Sequence, residues 1–263
     1  MNNREGIGPL TKKPAVGNVM VYSSSLADPL EVAIPEHPSP VSRKTNGKGH
    51  LRRETGLVKD SFYTVVRNNI LHVISENYYY KTEPYYTILR HELEGRTVSP
   101  SSSTVLDAYV VPICLERAKL AGISVCPWEI SQAYIPLPAI VYGLNYFATS
   151  SDYFVVDDNE KAKDVIKHIT NKGKYPFCYQ KLEEDARIHT CTTIFGKTAG
   201  SCSSIAQFGE KLYDLFSIPL VNMIFVQTGE DYALSSLSPV RYSQLSDSER
   251  KLISAYMTGQ EFL

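Results

Sequence analysis

Short apolar runs alternate along the chain with polar stretches that carry glycine and proline, and the period of each run predicts an element. Ile70-Leu71-His72-Val73-Ile74 is apolar and β-branched, which predicts a buried strand within 69–75. Thr82 then suits a helix N-cap, Pro84 the first turn and Gly95 the end, so a helix is expected over 84–94. An extended segment at 96–100 leads to a helical region from about Ser103, which Pro112 breaks or restarts and Gly122 ends. Ile123-Ser124-Val125-Cys126 is expected as the next strand. The alternation of strand and helix favours a parallel sheet covered by helices.

The last third is patterned most clearly. Arg187 to Phe195 is rich in β-branched residues and reads as strand, and Ile205, Phe208, Leu212 and Phe216 mark one face of a helix over 203–216. Pro219 to Val226 reads as a strand, Thr228-Gly229-Glu230-Asp231 as a hairpin turn, and 232–237 as its returning partner. Ser246-Asp247-Ser248-Glu249 is a capping box that opens a final helix. Residues 127–186 are less regular. There Tyr153-Phe154-Val155-Val156 reads as a strand, and a helix capped by Asp157 or Asp158 runs to about Thr170 and closes at Gly173, with Pro136, Pro138 and Pro176 marking loops. The expected fold class is α/β, with α+β as its variant: a mostly parallel sheet flanked by helices, with a C-terminal β-hairpin and terminal helix.

The N-terminal part differs in composition. Residues 1–14 read as a loose tail and Ala15 to Ser23 as an edge strand. Pro35 to Lys59 is rich in Pro, Gly, Ser and basic residues, including Arg43, Lys44, Lys48, Arg52 and Arg53. Such a stretch is either a solvated linker or an arm that contacts phosphates of a nucleic acid. The expected division is therefore 1–59 as tail and basic arm and 60–263 as one domain, with 127–186 divergent within it.

A net charge of -1 gives no global attraction to nucleic acid or anionic membrane. Five cysteines at irregular spacing, with no Cys-x-x-Cys, argue against a disulfide framework or zinc module and for a reduced, cytoplasmic protein. No apolar run approaches the roughly 18–20 residues that span a bilayer.

Chemistry concentrates in Asn77 to Tyr86, where five tyrosines and Lys81 sit at the handover from strand to helix. In α/β folds ligands bind beyond the carboxyl ends of strands, so Tyr80, Lys81, Tyr85 and Tyr86 are candidate ligand- or partner-binding residues. Packing of those rings onto the sheet is the alternative. Gly196-Lys197-Thr198 ends like a phosphate-binding loop, but Cys191 stands where its first glycine belongs and strand formers fill the gap. His91-Glu92 begins like a zinc-protease motif whose second histidine position is Gly95. No complete catalytic motif and no metal site emerges.

Two blocks carry a resemblance. Tyr80-Lys81, Tyr85-Tyr86, Leu89, Gly95, Pro100 and Thr104 form the first; Ile194-Phe195-Gly196-Lys197, Leu212-Tyr213-Asp214-Leu215-Phe216 and Pro219-Leu220 form the second. Over residues 65–125 and 187–260 they resemble the N-terminal domain found fused to RimK-like ATP-grasp ligases. Pro84 replaces the family's glycine before the paired tyrosines, and Lys197 replaces its arginine, losing the bidentate fork.

The resemblance implies a stand-alone, non-catalytic accessory or substrate-binding module. Its partner would be an ATP-grasp carboxylate–amine ligase on another chain, and ATP and Mg would be bound only there. Gly196 and Lys197 would form a second contact point. The alternatives are a nucleotide-dependent enzyme using Gly196-Lys197-Thr198 and a nucleic-acid-associated protein using the 43–53 arm.

Overall fold

The computed structural model describes residues 21–23, 62–145, 153–198 and 203–258. Three four-stranded sheets and six helices make up these residues. The basic arm expected at 43–53 lies outside them, as does most of the expected strand 15–23.

The first sheet is β1 (Val21–Ser23), β2 (Phe62–Arg67), β3 (Ile70–Ser75) and β4 (Val98–Ser99), in that order. Asn68 and Asn69 join β2 to β3 with φ of 49° and 65°. Two left-handed residues match the twist of a tight hairpin, and asparagine tolerates that region. Helix α1 (Glu83–Leu93) crosses from β3 to β4, and these two strands are parallel. The Thr82 hydroxyl accepts from the Tyr85 amide, and Gly95 at φ 77° closes the far end. Helix α2 (Ser102–Tyr109) stops at Val110, whose extended backbone lets α3 (Val111–Leu120) restart with Pro112 in its first turn.

The second sheet is β5 (Glu129–Ser131), β6 (Ala139–Gly143), β7 (Tyr153–Val156) and β8 (Phe177–Lys181), ordered β5-β8-β6-β7, with α4 (Asn159–Ile169) between β7 and β8. The third is β9 (Arg187–Ile194), β10 (Lys197–Thr198), β11 (Leu220–Thr228) and β12 (Asp231–Ser238), ordered β10-β9-β11-β12, with α5 (Ser203–Phe216) between β10 and β11. A 3-10 turn at Tyr242–Gln244 and α6 (Asp247–Met257) finish the chain, and Ser246 and Glu249 form the capping box.

The mostly parallel sheet is not found. Every pairing in the second and third sheets is antiparallel, and β3 with β4 is the one parallel pair among the described strands. The helix-linked pattern that suggested a parallel sheet holds only for β3-α1-β4, and the expected strand 123–126 is reduced to an isolated bridge from Val125 to Leu234. Three of the second sheet's strands, β5, β6 and β8, fall in residues 127–186, where the sequence singled out 153–156 alone as strand. In β6, Ala139 and Val141 face the cluster under α4, while Ile140 and Tyr142 face the main core. Burial on both faces removes the apolar–polar alternation that marks a half-buried strand.

The main core draws Val73, Ile88, Leu115, Ile140, Phe225 and Leu234 from all three sheets and two helices. Each buried side chain of that size contributes about 1.5–3 kcal/mol. A second cluster, with Val65, Leu220, Ile253 and Tyr256, seats α6 against the first and third sheets.

Candidate functional site

The turn before α1 is built by its own polar groups. The Tyr78 hydroxyl donates to the Val73 carbonyl at 2.9 Å and accepts from the Ser75 amide at 2.8 Å. Burial raises that phenol well above its ordinary range, so Tyr78 is a neutral core strut. Asn77 Oδ1 accepts from the Tyr79 amide, and the Thr82 hydroxyl donates to the Tyr79 carbonyl at 2.7 Å. Lys81 takes φ 70° to complete the turn.

This geometry divides the four tyrosine-site residues. Tyr85 is buried, and its phenol is raised by burial first and by neighbouring Tyr80 second. Tyr80 and Tyr86 are about half exposed, at 49% and 51%. Tyr80 lies edge-on to Tyr85 at 5.3 Å, Tyr86 lies edge-on to Tyr85 at 6.0 Å, and Lys81 Nζ sits 5.8 Å from the Tyr80 ring centre. Tyr80, Lys81 and Tyr86 are therefore surface groups resting on a core ring.

Gly196 and Lys197 lie elsewhere, at the β9–β10 turn. Phe195 and Gly196 have φ of 49° and 78°, the two-residue turn of a hairpin. A β-carbon on Gly196 would stand 3.0 Å from Tyr213 Cβ, and one on Gly209 would stand 2.9 Å from the Gly196 carbonyl, so two glycines let α5 lie against this turn. Lys197 Nζ donates to Glu210 at 3.0 Å. With Thr192 to Ile194 paired in strand, no loop of amides curls round an anion, and the reading of Gly196-Lys197-Thr198 as a phosphate loop fails. Glu92 of the His91-Glu92 pair accepts from the Ser102 amide at 2.9 Å and helps start α2.

A third feature has no signal in local sequence. Tyr142 and Gln180 of the second sheet meet Ser235 and Ser236 of the third, all four at most 1% exposed. Tyr142 Oη lies 2.6 Å from Ser235 Oγ and accepts from Ser236 Oγ at 3.0 Å. Ser235 Oγ donates to Gln180 Oε1 at 2.6 Å, and Gln180 Nε2 donates to the Ser235 carbonyl at 2.8 Å. The Ser235 hydrogen is committed to Gln180, so Tyr142 donates to Ser235, and the hydrogens run one way from Ser236 to Gln180. Adjacent strand residues point to opposite faces, yet both serines reach one phenol. The ladder explains this: Ser236 pairs with Ile224 and Leu234 with Phe225, leaving Ser235 as an extra bulged residue.

The thiols of Cys114, Cys126 and Cys178 are pushed up to about 12 by burial, so they are protonated core groups. Among the described residues no helix is long and apolar enough to cross a membrane.

With this geometry in view, comparison with known proteins identifies the fold. Residues 154–256 match the family model of the RimK-like ATPgrasp N-terminal domain. The RimK-like span runs from β7 into α6 and takes in the block read from 187–260 as far as residue 256, while the block at 65–125 lies outside it. Among solved structures, D-alanine–D-alanine ligase from Helicobacter pylori aligns with TM-score 0.51 at 14% identity, covering 66% of this chain and 65% of the ligase. The chain thus spans just under two thirds of that ligase's length. A RimK domain ATP-grasp protein from Sphaerobacter thermophilus aligns at TM-score 0.49 and 15% identity, covering 67% of this chain and 75% of that protein. No curated protein sequence matches the chain.

These findings correct the expectation of a non-catalytic accessory module. That reading put the ligase fold on another polypeptide, whereas 66% of this chain itself aligns with a D-alanine–D-alanine ligase.

ATP-grasp folds imply ATP with magnesium. Among the described residues no three His, Cys, Asp or Glu side chains gather where they could hold a metal. The buried oxygens between the second and third sheets are hydroxyl and amide, whereas magnesium favours carboxylate and phosphate oxygens. The described residues do not fit a protein-held magnesium.

Proposed function

We propose that this chain is itself a ligase of the ATP-grasp type, joining a carboxylate to an amine with ATP as co-substrate. The observation that supports this reading is the likeness, across 66% of the chain, to a D-alanine–D-alanine ligase. The RimK-like match over 154–256 agrees with it. Within this reading Tyr80 and Tyr86 offer half-exposed rings, and Lys81 offers a cation beside them, as a surface for a carboxylate-bearing substrate. The cytoplasm, where ATP is plentiful and the four described thiols stay free, is the proposed location.

The test is phosphate release by the purified full chain in ATP, magnesium and a mixture of amino acids, with mass spectrometry of the products. The expected result is amine-dependent phosphate release and a new amide. Absence of both ATP binding and phosphate release would overturn the proposal. Removing both ring faces in Tyr80→Ala/Tyr86→Ala is expected to raise KM for the carboxylate substrate about thirtyfold with little change in melting temperature. Aromatic contacts of this kind are worth about 1 kcal/mol each.

A further inference from the structure

Three lysines gather along α4 and the turn that follows it. Lys163 and Lys167, one turn apart on α4, and Lys172 in the turn that follows line an open concavity of about 470 Å³. Gln132, Ala133, Ile166, Thr170 and Gly173 complete its walls, and no carboxylate lines it. None of the three lysines has an ion-pair partner among the described residues; the ion pair at the start of this helix joins Lys161 to Asp157. Glu160 and Asp164 belong to the same helix but not to the lining.

Two features separate this from an ordinary solvated helix face. Asn171, Lys172 and Gly173 have φ of 49°, 60° and 84°, three left-handed residues in a row. Asparagine and glycine adopt that region readily, but a lysine β-carbon is strained there. The turn is held by the Lys172 amide donating to the Lys167 carbonyl at 2.8 Å and the Gly173 amide donating to Thr170 Oγ1 at 2.7 Å. The second feature is charge. Like charges four residues apart on a helix repel, and Lys172 adds a third to Lys163 and Lys167. Three cations thus surround one space, and one of them, Lys172, is held there against backbone preference. The space itself is within the range of small-ligand sites.

We propose that this concavity binds a multiply charged, phosphate-bearing anion, either free polyphosphate or the phosphate tail of a nucleotide. The inference does not rest on the ligase reading, because it concerns binding alone.

The test is calorimetric titration of the full chain with inorganic tripolyphosphate, without magnesium, at low and at physiological ionic strength. Saturable binding that weakens with salt is expected. Lys172→Asn keeps a residue that accepts the left-handed turn, so it should melt no lower than the parent yet bind about threefold more weakly. Lys163→Ala/Lys167→Ala should bind about tenfold more weakly. Parallel titrations with ATP and adenosine separate the sources. ATP binding well above tripolyphosphate points to a nucleotide tail, and equal binding points to the phosphates alone. Either supports the site if the lysine variants lose it. No saturable tripolyphosphate binding, or binding unchanged in both variants, would overturn the proposal. Phosphate release in the ligase assay is a separate readout, so failure of one proposal leaves the other standing.

Discussion

Tyr142 shows how much one buried hydroxyl can hold. It takes a hydrogen bond from Ser236 and gives one to Ser235, with no water-exposed surface to compensate for a lost partner. Tyr142→Phe should therefore cost about 1–3 kcal/mol, read as a lower urea midpoint at unchanged slope. His72 makes a different prediction. Burial first, and the Arg67 charge second, lower its pKa from the ordinary 6.5. The folded state then binds fewer protons than the unfolded state below about that value, so stability is full above pH 6.5 and falls as the pH drops through it. Unfolding measured between pH 7 and 5 should show this loss, and His72→Phe should flatten it. At this scale the sequence was partly legible. The Asn77–Tyr86 cluster is visible as tyrosines at an element boundary, but only packing separates buried Tyr78 and Tyr85 from exposed Tyr80 and Tyr86. The Tyr142–Ser235 contact joins residues 93 apart and leaves no local trace.

At the scale of elements, local chemistry decides what can be read. Caps are local: Thr82, Asp158 and Ser246 start their helices as expected. Thr82→Ala should cost about 1 kcal/mol, detectable in equilibrium denaturation. Gly196→Ala should cost more than about 1 kcal/mol by the same measurement, because φ is 78° and the new methyl meets Tyr213. Strands buried on both faces are not local in this sense. β6 and β8 carry apolar or neutral residues toward both neighbours, and nearby Pro136, Pro138 and Pro176 read as loop punctuation. The β2–β3 hairpin had a signal, Asn68-Asn69, that matters only once both residues are seen to be left-handed.

For the whole molecule, strand direction is the property that sequence alternation does not reveal. A strand, a helix and another strand make a parallel pair at β3 and β4, but β9, α5 and β11 make an antiparallel one through β11's pairing with β9. The connecting helix is present in both cases, so its presence could not distinguish them. What unites the sheets is the shared core. Ile140 belongs to the second sheet, is 0% exposed and lies in the cluster with Val73 and Phe225. Ile140→Ala should cost about 2–5 kcal/mol and shift the unfolding of the described residues as a single transition. A separate early loss of the second sheet, seen by hydrogen exchange, would show that the shared cluster does not couple it to the rest.

The one-way run of hydrogens from Ser236 through Tyr142 and Ser235 to Gln180 has a polarity, and damage to it is not symmetric. At its head, Ser236→Ala removes a donor and leaves only an unfilled lone pair on the phenol. At its tail, loss of the Gln180 carbonyl oxygen strands the Ser235 hydrogen in a dry interior, with every upstream group already turned the wrong way to receive it. Variation is thus more readily absorbed at Ser236 than at Gln180.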